Sequence, residues 1–159
     1  SAKVDRCFKA GALAVGARVR ITNIPGYMPM RNNPTMQELF HRNAADVVGK
    51  TSIRVRTPRH NGGGSTDMGD LSQIIPLIHP YAGGVIGTGH GADYLVQDYG
   101  QAVINPAKVM AMTVIDLLAN GAAGAREVVE EAERTMTREQ YVAFQRKRAE
   151  VIDFDGGAA

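Results

Sequence analysis

The chain has 159 residues, 44% of them hydrophobic, which is enough for one ordinary globular domain with a core. Its net charge is +2, from 18 Lys and Arg against 16 Asp and Glu, so there is no electrostatic case for nucleic acid or an anionic membrane as partner. The single cysteine, Cys7, excludes an internal disulfide and a CxxC metal site.

No stretch is read as approaching the roughly 20 apolar residues of a transmembrane span, and no signal-peptide pattern opens the sequence. A soluble, cytoplasmic protein is the expectation. The start, Ser-Ala-Lys, enters directly into a helical pattern and reads as a cut through a longer protein.

In chain order, Val4, Cys7, Phe8, Gly11 and Val15 recur at helical spacing, and Gly16 is placed to end that helix. Cys7 on this face reads as a small buried hydrophobe. Arg18 to Thr22 alternates, with Val19 and Ile21 inward, and predicts a half-buried strand. The segment NIPGYMPMRNNP follows, and its three prolines and its glycine mark a crossing between domains. Asn33 is then a good N-cap with Pro34 at the first helical position. Met36, Leu39, Phe40, Ala44 and Val47 form an apolar stripe interrupted by Asn43, and Gly49 closes the helix.

Ile53 and Val55 alternate with arginines and predict a short strand. The glycine-rich middle holds two apolar pieces read as buried, residues 74–78 and 85–86. Asn105-Pro106 repeats the Asn-Pro helix start, Val109, Met112, Leu117 and Leu118 make the core face, and Gly121 stops that helix. A further helix is predicted over residues 125–134. Thr137 with Gln140 forms a capping box for a last helix running to about Glu150, and the tail DFDGGAA is expected to fray. Helices alternating with strands make the class α/β or α+β.

The residues able to carry chemistry lie in three pieces of the middle: RHNGGGSTDMGD, IHPY and GTGHGADY. Glycines before Ser65 leave backbone N–H groups free, and a helix starting near Ser65 or Thr66 would favour an anion there, a substrate carboxylate or a phosphate. The run lacks the GK[ST] ending of a P-loop, which disfavours a nucleotide. Taken singly, each piece has an ordinary alternative. Glycine-rich loops are often connectors, Asp67 serves equally as a helix cap, and an isolated histidine such as His90 is more often structural than a ligand. The four histidines, His41, His60, His79 and His90, show no HxH or HExxH spacing, and His41 falls on the polar side of its helix.

Taken together, GGGSTDMGDLSQIIPLIHPY, GTGHGADY and the helix from Asn105 to Leu118 resemble the C-terminal part of the M20 family of metallopeptidases and amidohydrolases. The likeness is to the branch of aminobenzoyl-glutamate hydrolases and acyl-amino-acid or dipeptide hydrolases. The resemblance implies an α/β fold, the C-terminal part of a three-layer zinc-peptidase-like catalytic domain preceded by a remnant of an α+β lid domain. It implies a division into residues 1–31 (end of the lid), 32–150 (catalytic domain) and 151–159 (tail). It makes His90 a metal ligand and puts Gly64, Ser65, Thr66 and Asp67 in the substrate pocket, with His79 bordering the same cleft. The implied cofactor is a divalent metal, two zinc ions in the complete enzyme. The implied partners are a small substrate bearing a free carboxylate and a second subunit in a homodimer.

The departures from the family pattern define the rest of the expectation. The first metal histidine, the bridging aspartate and the paired glutamates of such enzymes belong to an N-terminal half whose motifs are missing here. Glu130-Glu131 sits in a polar helix instead. No catalytic residue is therefore assigned to this chain, and by itself it is expected to be inactive. A truncated lid is expected to leave sheet edges and apolar surface uncovered. Two other readings stand beside this one: a free-standing, non-catalytic module that binds a small carboxylate or dimerises, and a split enzyme whose other half is a separate chain.

Overall fold

The computed structural model describes residues 2–54, 65–133 and 135–158, and mixes helices with short strands. Two compact units emerge. One joins the two ends of the chain, Ser1–Tyr27 with Met136–Ala159, and the other is Met28–Thr135.

In the terminal unit, helix α1 (Ala2–Val15) ends where Gly16 takes φ +65°, the left-handed region that glycine enters without steric cost. Strand β1 (Arg18–Asn23) follows, with Ile21 buried and Val19 half-buried. Its partner is β4 (Glu150–Asp155), antiparallel, in register from Arg18 opposite Asp155 to Asn23 opposite Glu150. The first three residues of the tail expected to fray, Asp153–Asp155, are therefore in a strand. Backbone pairing holds it, and two ion pairs lie along the ladder, Arg18 to Asp155 at 2.8 Å and Arg20 to Asp153 at 2.7 Å.

Helix α5 (Arg138–Arg148) carries the predicted capping box, Thr137 accepting from the Gln140 N–H while the Gln140 side chain accepts from Thr137. The Arg148 guanidinium lies over the Phe144 ring, 5.2 Å from its centre.

Only Ala12 is buried on α1. Cys7 is exposed, as are Val4, Phe8 and Val15, which corrects the reading of that stripe as core. Ala12 lies where the chain closes on itself: the Ala17 N–H donates to the Ala12 carbonyl, and a Cβ on Gly156 would strike that same carbonyl.

In the central unit, helix α2 (Pro34–Val48) begins as predicted, the Asn33 side chain accepting from the Met36 N–H at 2.8 Å. Asn43, the interruption in its apolar stripe, is buried. Its Nδ2 donates to Asp116 Oδ2 at 2.9 Å and to Thr113 Oγ1 at 3.3 Å on helix α4 (Asn105–Glu131). Thr113 in turn donates to the Val109 carbonyl, so the polar atoms at this helix pair are partnered.

Helix α4 does not start at an Asn105 cap. A π-helical turn, Gly100–Ile104, leads into it without a break. Its backbone leaves the helical region at Ala119, Asn120, Gly121 and Ala122, close to the predicted stop. Val109 is buried and Leu118 is exposed, so only part of the expected core face is covered. Met110, Val114 and Leu118 form an apolar line at four-residue spacing and are more than half exposed. Within Gly100–Glu131 an 18-residue window has a mean hydropathy of 1.5, nearer to a span by length and composition alone than the sequence reading expected, and the backbone break at Ala119–Ala122 divides the stretch. One face of it docks on α2 through Val109 and Thr113.

The remaining elements are a 3-10 turn (Lys50–Ser52), the one-turn helix α3 (Met68–Leu71), and the hairpin of β2 (Val85–Ile86) with β3 (Leu95–Val96). Ile53 and Arg54 follow the 3-10 turn outside any strand, and Val55 lies outside the described residues. Leu77 is buried, but the Val85–Ile86 piece read as core is exposed at the hairpin surface. Among the described residues the strands form two antiparallel two-stranded sheets, with no three-layer arrangement.

Two outcomes follow. Asn43→Ala removes the donor that joins α2 to Thr113 and Asp116, and should cost about 1–3 kcal/mol in a denaturant titration. The hydrogen bond from Arg20 holds the Asp153 carboxyl below its ordinary value and raises Arg20 in turn. A depressed carboxylate stabilises the fold above its unfolded pKa, and that contribution is lost as pH falls through the folded one. Acidification below about pH 4 should therefore loosen the β1–β4 pairing slightly, because the pair is exposed. Asp153→Asn should remove that acid-dependent part of the exchange protection at the β1 amides, and an identical acid response in the variant would contradict it.

Candidate functional site

The segment containing STDMGD is built around an incoming strand of backbone. Residues 28–33 lie across α3 and the turns after it. The Met28 N–H donates to Asp70 Oδ1 at 2.8 Å, the Arg31 N–H to Ser72 Oγ at 3.0 Å, and the Asn33 N–H to the Leu77 carbonyl at 2.8 Å. Gln73, buried, donates from Nε2 to the Pro29 carbonyl at 2.8 Å and accepts from Thr135 at 2.9 Å. A Cβ on Gly69 would collide with the Met28 carbonyl, so only glycine permits this approach. Gly69, Asp70, Ser72 and Gln73 thus act as a clamp, a role sequence reasoning missed because each partner lies about forty residues away.

Of the predicted pocket residues, Gly64 lies outside the described residues, as does His60. Ser65 and Asp67 are exposed and Thr66 is half-buried. The helix expected to start near Ser65 begins at Met68 and has four residues, too short for the anion-binding N-terminus foreseen there. Thr66 Oγ1 accepts from the Met68 N–H at 3.3 Å and donates to Asp67 at 3.2 Å. Asp67 occupies the N-cap position without a side-chain capping bond. His79 is pinned by its backbone N–H, which donates to Asn32 Oδ1 at 3.0 Å, and its ring meets Tyr81 edge-on at 5.1 Å.

His90 stands at the end of the β2–β3 hairpin, exposed, with φ +65°. A non-glycine residue is uncommon in that region. The Gly91 N–H closes the turn on the Thr88 carbonyl at 2.7 Å. The His90 imidazole has no hydrogen-bond partner among the described residues and is free to act as a donor.

Zinc sites use three or four N, O or S ligands. Among the described residues no three His, Cys, Asp or Glu side chains gather so as to hold a metal ion, and no hydrogen bond links His90 to Ser65–Asp67 or His79. Among the described residues the donor set does not complete a metal site. Glu131, considered with Glu130 as a carboxylate pair, accepts from the Thr35 hydroxyl at 2.8 Å and so has a structural partner.

A cavity of about 320 Å³ lies elsewhere in this unit, lined in part by Arg31, Asn33, Ser72, Ile75 and Glu133. It includes none of the predicted site residues, and the Arg31–Glu133 ion pair of 3.3 Å forms part of its wall.

The chain resembles part of two known dipeptidases. The chain is 32% identical over 124 residues to the Xaa-Arg dipeptidase of Mus musculus and 30% identical over 126 residues to that of Homo sapiens. Each match takes in 73% of this chain and 28% of the relative, so the chain spans well under a third of the dipeptidases it resembles. No family model matches the chain, and no solved structure does. The likeness is therefore to one part of two proteins named as dipeptidases.

The clamp yields a direct test. Gly69→Ala should destabilise the central unit by about 1–3 kcal/mol, because the new methyl group meets backbone that cannot rotate away. A melting curve unchanged from wild type would show that residues 28–33 do not lie against α3.

Proposed function

We propose that the chain is the C-terminal portion of an M20-type metal-dependent amidohydrolase that cleaves an amide bond next to a free carboxylate. The substrates would be N-acyl amino acids, aminobenzoyl-glutamate or dipeptides. The single observation carrying this reading is the similarity to the Xaa-Arg dipeptidases, which extends over 73% of the chain. The exposed, unpartnered imidazole of His90 on a fixed turn supports it from the chemical side.

In this reading residues 32–150 belong to the catalytic domain, with its three-layer core completed by the rest of the protein, residues 1–31 are the end of the lid and 151–159 a tail. His90 supplies one metal donor. Gly64 to Asp67 help to orient the substrate carboxylate through backbone and hydroxyl donors, with His79 at the border of the cleft. The complete enzyme holds two zinc ions and works as a cytoplasmic homodimer. A bound divalent metal would lower the pKa of a water molecule and polarise the scissile carbonyl. No residue described in this chain is assigned as general base, so the 159-residue chain alone should hydrolyse no dipeptide.

The experiment is an assay of Xaa-Arg dipeptides with the longer protein carrying this sequence, its metal content measured in parallel. His90→Ala should lose at least one metal equivalent and nearly all turnover. Near-normal turnover with full metal content would remove His90 from the site. Turnover by the isolated 159-residue chain would overturn the fragment reading.

A further inference from the structure

We infer that Asp93 is a positioning residue for His90: it holds the turn that presents the imidazole. The inference rests on the reading of His90 as a metal donor and extends it to a residue that touches neither substrate nor metal.

His90 is held at φ +65°, a conformation its own side chain disfavours, so its neighbours must impose it. Asp93 is the neighbour around which the loop is wrapped. Its Oδ2 accepts the Thr88 N–H at 3.2 Å and the Thr88 hydroxyl at 3.4 Å, spanning the turn from one side of His90 to the other. The Gly91 N–H bonds to the Thr88 carbonyl at 2.7 Å, and the Tyr94 N–H to the Gly91 carbonyl at 3.2 Å.

The glycines are explained by the same contact. A Cβ on Gly91 would strike Asp93 Oδ1, and a Cβ on Gly87, itself at φ +87°, would strike the Asp93 carbonyl. Gly91 therefore makes room for the Asp93 side chain and Gly87 for its backbone carbonyl, while a Cβ on Gly89, beside the histidine, would meet nothing within 4 Å. The loop ends are fixed in turn by the pairing of Val85 with Val96 and Ile86 with Leu95. Without the Asp93 acceptor, Thr88 loses the partner of its N–H and hydroxyl. The backbone bonds from Gly91 to Thr88 and from Tyr94 to Gly91 remain, but the side-chain tie across the turn is gone, so the His90 backbone is less firmly held in the left-handed region and the ring less firmly aimed.

The test compares Asp93→Leu, which keeps the shape and removes the acceptor, with Asp93→Asn, which keeps an acceptor oxygen. In the 159-residue chain, amide exchange at Thr88 and Gly91 should accelerate in Asp93→Leu and stay near wild type in Asp93→Asn. In the dipeptide assay, Asp93→Leu should lower kcat by about 10–100-fold with KM little changed, together with weaker retention of zinc, and Asp93→Asn should restore both. Wild-type exchange and turnover in Asp93→Leu, in a protein that His90→Ala inactivates, would overturn this inference and leave the donor reading intact. An active, metal-replete His90→Ala variant would instead overturn the donor reading on which it rests.

Discussion

The central unit depends on the close approach of the Met28 carbonyl to Gly69. That contact lets residues 28–33 run across α3, where the side chains of Asp70, Ser72 and Gln73 take up their backbone groups. From there the chain enters α2 through the Asn33 cap, while the Asn33 N–H ties it to Leu77 and Asn32 reaches the His79 N–H. One backbone-to-backbone contact thus sets the entry to a helix and the position of both the STDMGD and IHPY segments. Such an arrangement has little tolerance, because a buried backbone polar group deprived of its partner keeps its full desolvation cost.

This division of labour changes the meaning of the motif residues. Gly69, Asp70, Ser72 and Gln73 of STDMGDLSQ hold the fold, while Ser65 to Asp67 take no part in the clamp. The hairpin turn works differently. It is exposed, it packs on little, and its geometry comes from short-range hydrogen bonds and glycines fitted around Asp93. A donor on such a turn is fixed in direction yet open to groups outside the described residues. That suits a histidine that completes a site largely built elsewhere.

Local signals were legible in the sequence. The Asn33-Pro34 start, the Thr137–Gln140 capping box, the stop at Gly16 and the break near Gly121 each depend on a few adjacent residues, and each appears where the pattern put it. What the sequence hid was set at long range. The start of the tail became part of a strand because β1 offered it an edge more than 130 residues away, an attachment that no local pattern encodes. The stripe holding Cys7 is exposed because α1 meets its small sheet through Ala12 instead. Asn105 caps nothing because the π turn before it already supplies helical backbone. At the candidate site the glycines were visible in the sequence, but that Gly91 leaves room for the Asp93 side chain and Gly87 for the Asp93 carbonyl was visible only in three dimensions.

The account makes the chain a contributor to a metal site and not its owner: one imidazole, held ready, with no second or third donor beside it among the described residues. A zinc titration of the 159-residue chain by calorimetry tests this most directly. The account predicts no stoichiometric high-affinity binding, and the same trace for the wild type and for His90→Ala. Tight one-to-one binding of zinc that disappears in His90→Ala would show that the chain carries a complete site of its own, and would contradict it.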